Sequence, residues 1–325
     1  MIKEKILVIH TGGTISMMED EESGAVIPGD TNPIASQSNL LPQTTYIETV
    51  EPFHLPSPHI TPKEMYQLKK LIEQKLKETE FDGVVITHGT DTLEETAYFL
   101  DLTLDMDIPI VVTGAMRSSN EIGSDGLYNL LSSIRVAASK EARSKGVLVV
   151  LNDEIHTAEN VTKTHTSNVS TFQSPQYGPI GIVTKRAIVF HHAPTERVCY
   201  PAGDVSKKVA LVKAYAGMEP DILYSLKDLN YDGVVIEALG QGNMPPAVVP
   251  AIKTLIEYSI PVVLVSRCFN GIVQDTYGYE GGGLQLKKLG AIFSNGLNGQ
   301  KARLKLLIAL STTNDMKQLE EVFNN

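Results

Sequence analysis

Ile6-Leu7-Val8-Ile9-His10-Thr11-Gly12-Gly13-Thr14-Ile15 is the stretch on which the fold turns, and Val84-Val85-Ile86-Thr87-His88-Gly89-Thr90-Asp91-Thr92 is its counterpart. In each, an apolar run of strand length feeds a glycine-containing turn that carries threonine hydroxyls. Continuously apolar strands belong to sheets covered on both faces, which are mostly parallel. In an open parallel sheet, loops at the carboxyl ends of the strands converge on a ligand crevice. Two threonines and an aspartate, distant in sequence, are therefore expected to meet at one site.

Runs of the same kind alternate with helix-like segments along the chain. Strands are expected at 4–10, 83–87, 109–113, 146–151, 208–213, 232–237, 261–265 and 290–293. Thr61, Pro62 and Glu64 form a helix start: an N-cap hydroxyl, a proline at the first helical position and the acidic partner of a capping box. Met65, Leu68, Ile72 and Leu76 follow at helical spacing. Thr92 and Glu95 have the spacing of a second capping box, which leaves Thr90 and Asp91 just before a helix N-terminus, where backbone N–H groups favour anions.

The chain also echoes itself. Asp82-Gly83-Val84-Val85-Ile86 returns as Asp232-Gly233-Val234-Val235-Ile236, and Ile108-Pro109-Ile110-Val111-Val112 returns as Ile260-Pro261-Val262-Val263-Leu264. The reading is two α/β halves of related architecture. Where the first half has His88-Gly89-Thr90-Asp91, the second has Ala238-Leu239-Gly240-Gln241-Gly242-Asn243, so the halves are expected to differ in role. The fold class is thus α/β: two doubly wound domains with mostly parallel sheets. A larger N-terminal domain covers 1–190, a Pro- and Gly-rich linker 191–207, and a smaller C-terminal domain 208–325. Residues 17–32, with Glu19-Asp20-Glu21-Glu22-Ser23-Gly24, read as a mobile acidic loop placed to act as a lid.

Composition narrows the function classes. The 325 residues carry 28 basic and 38 acidic side chains, a formal charge of −10, with no basic run, which disfavours nucleic acid as a partner. A hydrophobic content of 42% supplies a sizeable core. No apolar stretch reaches membrane-spanning length, and Met1-Ile2-Lys3-Glu4-Lys5 lacks the features of a signal peptide. Cys199 and Cys268, two cysteines in all, suggest neither a disulfide framework nor a metal site. The expectation is a cytoplasmic protein without membrane association.

A threonine hydroxyl is a weak nucleophile until a base takes its proton. Asp91 and Lys163 are the candidate helpers, and Gly12, Gly13 and Gly89 allow backbone N–H groups to approach a developing oxyanion. Each has a bland counterpart: a Gly-Gly turn, a cap neighbour, a solvated lysine. His10 and His88 end apolar strands and read as satisfied core-edge histidines, while His156 and His165 lack zinc spacing. Tyr277-Gly278-Tyr279-Glu280-Gly281-Gly282-Gly283 lacks the Lys and Ser/Thr of a phosphate loop, and neither half has a dinucleotide fingerprint. Neither a cofactor nor a metal is expected.

At these residues the chain resembles the bacterial L-asparaginases, threonine amidohydrolases that include the glutaminase-asparaginases. Thr11-Gly12-Gly13-Thr14-Ile15 and His88-Gly89-Thr90-Asp91-Thr92 match that family's two signatures. Thr113-Gly114-Ala115-Met116-Arg117, Asn129-Leu130, Val161-Thr162-Lys163-Thr164, Tyr177-Gly178-Pro179-Ile180-Gly181 and Gln300-Lys301-Ala302-Arg303 match in the same order, so the resemblance spans essentially the whole chain. It implies that Thr14 is the nucleophile that becomes a β-aspartyl ester. Thr90, Asp91 and Lys163 then form a second triad. Asp91 also binds the substrate α-ammonium, Ser57 its α-carboxylate, and the Ala115 carbonyl lies near the amide. It further implies a homodimer or homotetramer in which the C-terminal domain completes a neighbour's site, through Asn243 and, by a weaker alignment, Glu280.

The chain departs from the family at two places. Residues 15–32 contain no tyrosine to assist Thr14, for which Tyr277 or Tyr279 of a neighbour are substitutes, and Pro58 follows Ser57 where secreted members have glutamine. Both point to the cytoplasmic type. The expected activity is hydrolysis of L-asparagine to L-aspartate and ammonia. Glutamine hydrolysis, alone or as an amidotransferase module, and a non-catalytic amino-acid sensor are the alternatives.

Overall fold

The computed structural model describes residues 4–20, 23, 25–28, 45–194 and 197–324. The chain divides into two compact units, Met1–Cys199 and Tyr200–Asn325.

The first unit runs β1 (Glu4–His10), β2 (Met17–Glu19), β3 (Val26–Pro28), β4 (Thr45–Val50), α1 (Pro62–Glu78), β5 (Gly83–Thr87), α2 (Leu93–Thr103), β6 (Ile110–Thr113), α3 (Gly126–Ala137), β7 (Val147–Leu151), β8 (Glu154–Thr157), β9 (Thr162–Lys163), β10 (Phe172–Gln173), β11 (Gly181–Val183) and β12 (Ile188–Phe190). Eight strands form its main sheet in the order β12-β11-β8-β7-β6-β5-β1-β4. From β4 to β7 every pairing is parallel; β8, β11 and β12 extend the sheet antiparallel. Counted along the chain, the parallel strands lie second-first-third-fourth-fifth. The chain therefore reverses its winding between β1 and β5, and such a reversal opens a crevice at the strands' carboxyl ends. The turns after β1 and β5 are the two threonine turns.

Alternation along the strands covers both faces. Ile6, Val8, Val85, Val111, Leu148 and Val150 pack with Leu130, Ile134 and Ala137 of α3. Leu7, Ile9, Val84, Ile86, Val112 and Val149, on the opposite face, are equally buried, on the side of α1 and α2. Helix α1 starts as the sequence indicates. The Thr61 hydroxyl accepts from the Lys63 N–H at 3.3 Å, and the Glu64 carboxylate accepts from the Thr61 N–H at 2.9 Å.

The second unit runs β13 (Val209–Lys213), α4 (Asp221–Asp228), β14 (Gly233–Ala238), α5 (Val249–Glu257), β15 (Val262–Ser266), α6 (Gly283–Leu289), β16 (Ile292–Phe293), α7 (Gly299–Leu310) and α8 (Met316–Asn324). Its four strands are parallel and lie in chain order. Val234, Ile236, Val262 and Leu264 pack with Leu223, Leu226, Ile252 and Leu255 of α4 and α5, and α7 packs against β13, β14 and β15.

The internal echo extends to individual hydrogen bonds. In the first unit the Asp82 N–H donates to the Lys5 carbonyl at 2.8 Å and the Asp82 carboxylate accepts from the Lys5 N–H at 2.8 Å. In the second, Asp232 and Lys208 make the same pair at 2.8 and 2.8 Å. Val84 donates to the Pro109 carbonyl at 2.9 Å, and Val234 to that of Pro261 at 3.0 Å. The aspartate thus fixes the register of β1 against β5 in the first unit and of β13 against β14 in the second.

Several sequence expectations are corrected. The Thr92–Glu95 capping box does not form: the Thr92 hydroxyl donates to the Ser57 carbonyl at 2.7 Å, a tertiary partner outcompeting the local one. The final strand begins at Ile292, because Gly290, at φ 104°, ends α6 in a left-handed cap. The short strands β8 to β12 and the edge strand β4 escape the apolar-run criterion, since several are half-exposed and polar. In the acidic segment, Met17–Glu19 and Val26–Pro28 pair antiparallel where an open loop is expected; residues 21, 22, 24 and 29–32 lie outside the described residues.

Candidate active site

The first threonine turn begins with a splice into β5. The Thr11 N–H and hydroxyl both donate to the Thr87 carbonyl, at 3.1 and 2.9 Å. Gly12 and Gly13 then take φ of 104° and 82°, where side-chain-bearing residues are strained. Space is the stronger constraint. A Cβ on Gly13 would lie 2.2 Å from the Gly89 Cα, and one on Gly89 2.7 Å from the Ser57 Oγ. The two turns therefore meet backbone to backbone, with the Ser57 side chain packed against Gly89. Thr14 opens a single helical turn that ends at Ser16, closed by the Ser16 N–H to the Gly13 carbonyl at 2.8 Å. Thr14 is half-buried beside fully buried Ile15.

In the second turn the Ser57 Oγ accepts from the Asp91 N–H at 3.1 Å. Ser57 and Thr90 are buried, whereas the Asp91 side chain is 61% exposed and so remains available to a solute. Lys163 arrives from β9, and its Nζ donates to the Thr90 Oγ1 at 2.9 Å and the Asp91 Oδ1 at 2.7 Å. One amine thus touches a hydroxyl and a carboxylate, a path along which a proton can move in either direction. Asp91 and Lys163 border a pocket of about 370 Å³ that is also lined by Glu94, Thr164, His165 and Thr166.

Two supporting acids were invisible to sequence reasoning. Buried Glu94, on the first turn of α2, accepts from the Lys163 N–H at 3.1 Å and the Thr162 hydroxyl at 3.0 Å, fixing the backbone from which Lys163 reaches out. Asp125, before α3, accepts from the Met116 N–H at 3.1 Å, the Arg117 N–H at 3.0 Å and the Asn129 amide at 3.0 Å. Asn129 also donates to the Gly114 carbonyl at 3.0 Å. Together they shape the turn containing buried Ala115. That turn reaches the site: a Cβ on Gly114 would lie 2.6 Å from the His88 carbonyl and 3.3 Å from the Thr90 Cγ2. Asp125-Gly126 resembles the helix-to-strand Asp-Gly pairs elsewhere in the chain, so its local sequence does not mark it.

The structure thus brings Thr90, Asp91, Lys163 and Ser57 into direct contact, and adds the Thr14 and Ala115 turns through glycine approaches. Asn243 and Glu280 lie in the second unit. There the Asn243 Oδ1 accepts from the Gly283 N–H at 3.2 Å, Met244 N–H donates to the Gly281 carbonyl at 2.8 Å, and Glu280 is exposed. Tyr277 and Tyr279 form an exposed pair with ring centroids 5.5 Å apart. Among the described residues, no group of three or more His, Cys, Asp or Glu side chains is arranged to hold a metal, and no helix is long and apolar enough to cross a membrane.

Comparison with known proteins bears on this arrangement. The family model for the asparaginase N-terminal domain matches residues 5–196, and that for the glutaminase/asparaginase C-terminal domain matches 208–323. A probable L-asparaginase of Deinococcus radiodurans is 39% identical over 325 residues, covering 98% of this chain and 97% of its own. L-asparaginase 2 of Escherichia coli is 35% identical, covering 98% and 92%. The crystal structure of a probable cytoplasmic L-asparaginase from Campylobacter jejuni superposes with a TM-score of 0.86 at 32% identity, covering 99% of this chain and 100% of that one.

Two expectations follow from the geometry. Gly13→Ala should cut turnover at this site by on the order of 100-fold, because a Cβ there forces the turns apart. Gly296→Ala, at a φ of 80° with nothing within 4 Å, carries the same kind of strain and should retain turnover. Equal losses in both would show that strain, not the Gly13–Gly89 approach, matters. The second concerns pH. Burial lowers both His10 and His88 to about 4, opposed at His10 by the Glu51 carboxylate and at His88 by its bond to the Gly89 carbonyl. The unfolded chain, with histidines near 6.5, binds more protons in this window, so stability falls as pH drops from 6.5 towards 4. Each histidine contributes on the order of 3 kcal/mol to that loss. Urea midpoints measured between pH 7.5 and 4.5 should decline accordingly, and His88→Asn should flatten the decline.

Proposed function

Because this chain belongs to the asparaginase family of amidohydrolases, we propose that it hydrolyses the side-chain amide of L-asparagine through a covalent threonine ester. The observation that carries this reading is the contact of Lys163 with both Thr90 and Asp91, beside a turn that holds Thr14 through the Gly13–Gly89 approach.

The roles follow from what each group offers. The exposed Asp91 carboxylate takes the substrate α-ammonium. The Ser57 Oγ already accepts from the Asp91 N–H, which leaves its own proton to be donated to the α-carboxylate. The Ala115 carbonyl accepts from the substrate amide. The Thr14 Oγ attacks the amide carbon as its proton leaves; a C–O bond forms, and the carbonyl oxygen gains a charge held by backbone N–H groups. Collapse breaks the C–N bond, and the departing nitrogen takes the proton that Thr14 gave up and leaves as ammonia. A water molecule, relieved of a proton along the Thr90–Lys163 path, then attacks the β-aspartyl ester. The ester C–O bond breaks, Thr14 recovers its proton and L-aspartate departs. The scheme balances without a cofactor.

The same reading makes the protein a homodimer or homotetramer whose C-terminal unit, over 208–325, completes a neighbour's site through Asn243 and Glu280. It also makes the protein cytoplasmic, in keeping with the missing lid tyrosine and Pro58 after Ser57. L-Glutamine is the competing substrate: one methylene is worth about 1–3 kcal/mol in a pocket, so the preference is a matter of degree.

Ammonia release measured over matched series of L-asparagine and L-glutamine tests the proposal, with asparagine expected to give the higher kcat/KM. Thr14→Ala should abolish release from a folded protein; near-normal release would remove Thr14 as nucleophile. Asp91→Ala should raise KM by at least ~100-fold, the scale of a lost charge-assisted pair. An unchanged saturation curve would count against its α-ammonium role.

A further inference from the structure

The strand that follows Thr14 has two edges, and the loop after Ala115 meets one of them. On the first edge β2 pairs with β3, Met18 opposite Ile27 and Glu19 opposite Val26, and the Asp20 N–H donates to the Ala25 carbonyl at 2.8 Å. Backbone bonds alternate from edge to edge along an antiparallel strand, so Met17 and Glu19 present theirs to the other side. There the Met17 carbonyl accepts from the Ser119 N–H at 3.1 Å and from the Ser119 hydroxyl at 3.0 Å. The Glu19 N–H donates to the Asn120 Oδ1 at 2.8 Å, and the Asn120 Nδ2 donates to the Glu19 carbonyl at 2.8 Å. Ser119 and Asn120 thus form a clasp on the outer edge of β2, where the Asn120 amide bonds to Glu19 as a neighbouring strand would.

A hairpin of two three-residue strands has little stability by itself. Its place is therefore set by what its outer edge meets. The loop that meets it is braced from within. The Met116 and Arg117 N–H groups donate to Asp125, the Glu121 N–H to the Ser118 carbonyl at 3.1 Å, and the Arg117 guanidinium to the Gly123 carbonyl at 2.9 Å. The same loop begins at the Ala115 turn. On the other side, the Met17 N–H closes the helical turn that starts at Thr14 by donating to the Thr14 carbonyl. Thr14 therefore lies in a span held at both ends: by Gly13 against Gly89 and by Met17 against Ser119.

We propose that Ser119 and Asn120 determine substrate specificity: clasped to Met17 and Glu19, they hold Thr14 at the reach of the shorter amide, L-asparagine, and short of the position that L-glutamine requires. The inference rests on the hydrolase reading given above. In that reading Asp91 and Ser57 anchor the substrate's α-ammonium and α-carboxylate, so one extra methylene carries the amide carbon about 1.5 Å further from the anchor. A nucleophile whose span is fixed at both ends cannot follow it; one fixed only at Gly13 can. Both residues are positioning residues, acting through β2 and touching no reacting atom. Asn120 is exposed, so water competes for its bonds and their loss has a moderate effect.

Ammonia release from L-asparagine and L-glutamine by the full-length protein separates positioning from folding, since a merely destabilised protein loses both activities alike. Asn120→Ala should lower kcat/KM for asparagine about 5-fold and change that for glutamine less than ~2-fold. Ser119→Ala combined with Asn120→Ala should narrow the ratio about 10-fold, within the range that one methylene commands. Ile122→Ala, at a side chain of the same loop that is 97% exposed, should leave the ratio unchanged. Equal losses on both substrates, an unchanged ratio in the double variant, the same narrowing in Ile122→Ala, or a glutamine preference in the unsubstituted protein would overturn the proposal.

Hydrogen exchange gives a readout independent of turnover. At the Glu19 N–H, followed by mass spectrometry of the segment around it, exchange should be at least ~10-fold faster in Asn120→Ala than in the unsubstituted protein, the scale of one lost hydrogen bond. Equal rates in the two proteins would also overturn the proposal. If the unsubstituted protein releases no ammonia from either amide, the hydrolase reading fails. The specificity role falls with it, even where exchange shows the clasp in place.

Discussion

The approach of Gly13 to Gly89 is the constraint on which the site depends. A Cβ at Gly13 would sit 2.2 Å from the Gly89 Cα, a distance that no side-chain-bearing pair can reach. Two backbones at this range can be aligned only by the strands that feed them. Those strands, β1 and β5, are adjacent and parallel, and the winding of the sheet reverses between them. The sheet therefore does two things at once. It opens a crevice at its carboxyl edge, and it holds the two turns on either side of that crevice in fixed register. The main chains of Thr14 and Thr90 inherit their positions from this arrangement.

Lys163 shows a different kind of positioning. It lies on a strand of two residues, which has little stability by itself. Glu94 compensates by accepting from the Lys163 backbone N–H, so a residue of α2 holds the lysine's main chain while the adjacent turn receives its ammonium group. A buried carboxylate satisfied by a backbone donor and a hydroxyl makes a rigid anchor, because leaving it unpaired costs far more than any alternative arrangement returns. Asp125 does the same for the turn at Ala115. Thus the turns that enter the site are fixed by polar groups of neighbouring segments: Thr87, Ser57, Glu94 and Asp125.

The two units show how one strand-pairing device serves different ends. Lys5 with Asp82 and Lys208 with Asp232 set the same register with the same bonds. Beyond the strands, the likeness stops. The second unit's strands run in chain order, so its winding never reverses. Its turns carry Gly240, Gly242 and Asn243 instead of a threonine and an aspartate. A common core and divergent loops are expected where packing constrains the strands and chemistry constrains only their ends.

The main parallel strands, the α1 start at Thr61 and the internal echo were legible in the sequence because each is a local pattern: an apolar run, a cap, a repeated five-residue string. The threonine turns and Lys163 were legible as chemistry, and their family resemblance named them. What the sequence did not disclose is every feature that depends on a distant partner. The Thr92 hydroxyl has the spacing of a capping box and instead donates to Ser57, because the folded chain offers a carbonyl at 2.7 Å. Glu94 likewise takes its partners, Thr162 and Lys163, from far along the chain. The sequence by itself determined the buried apolar strands and the start of α1, since hydrophobic period and capping act within a few residues. Only the tertiary structure decided which polar atoms meet, because a buried donor takes whichever acceptor the packing of the sheet brings within reach.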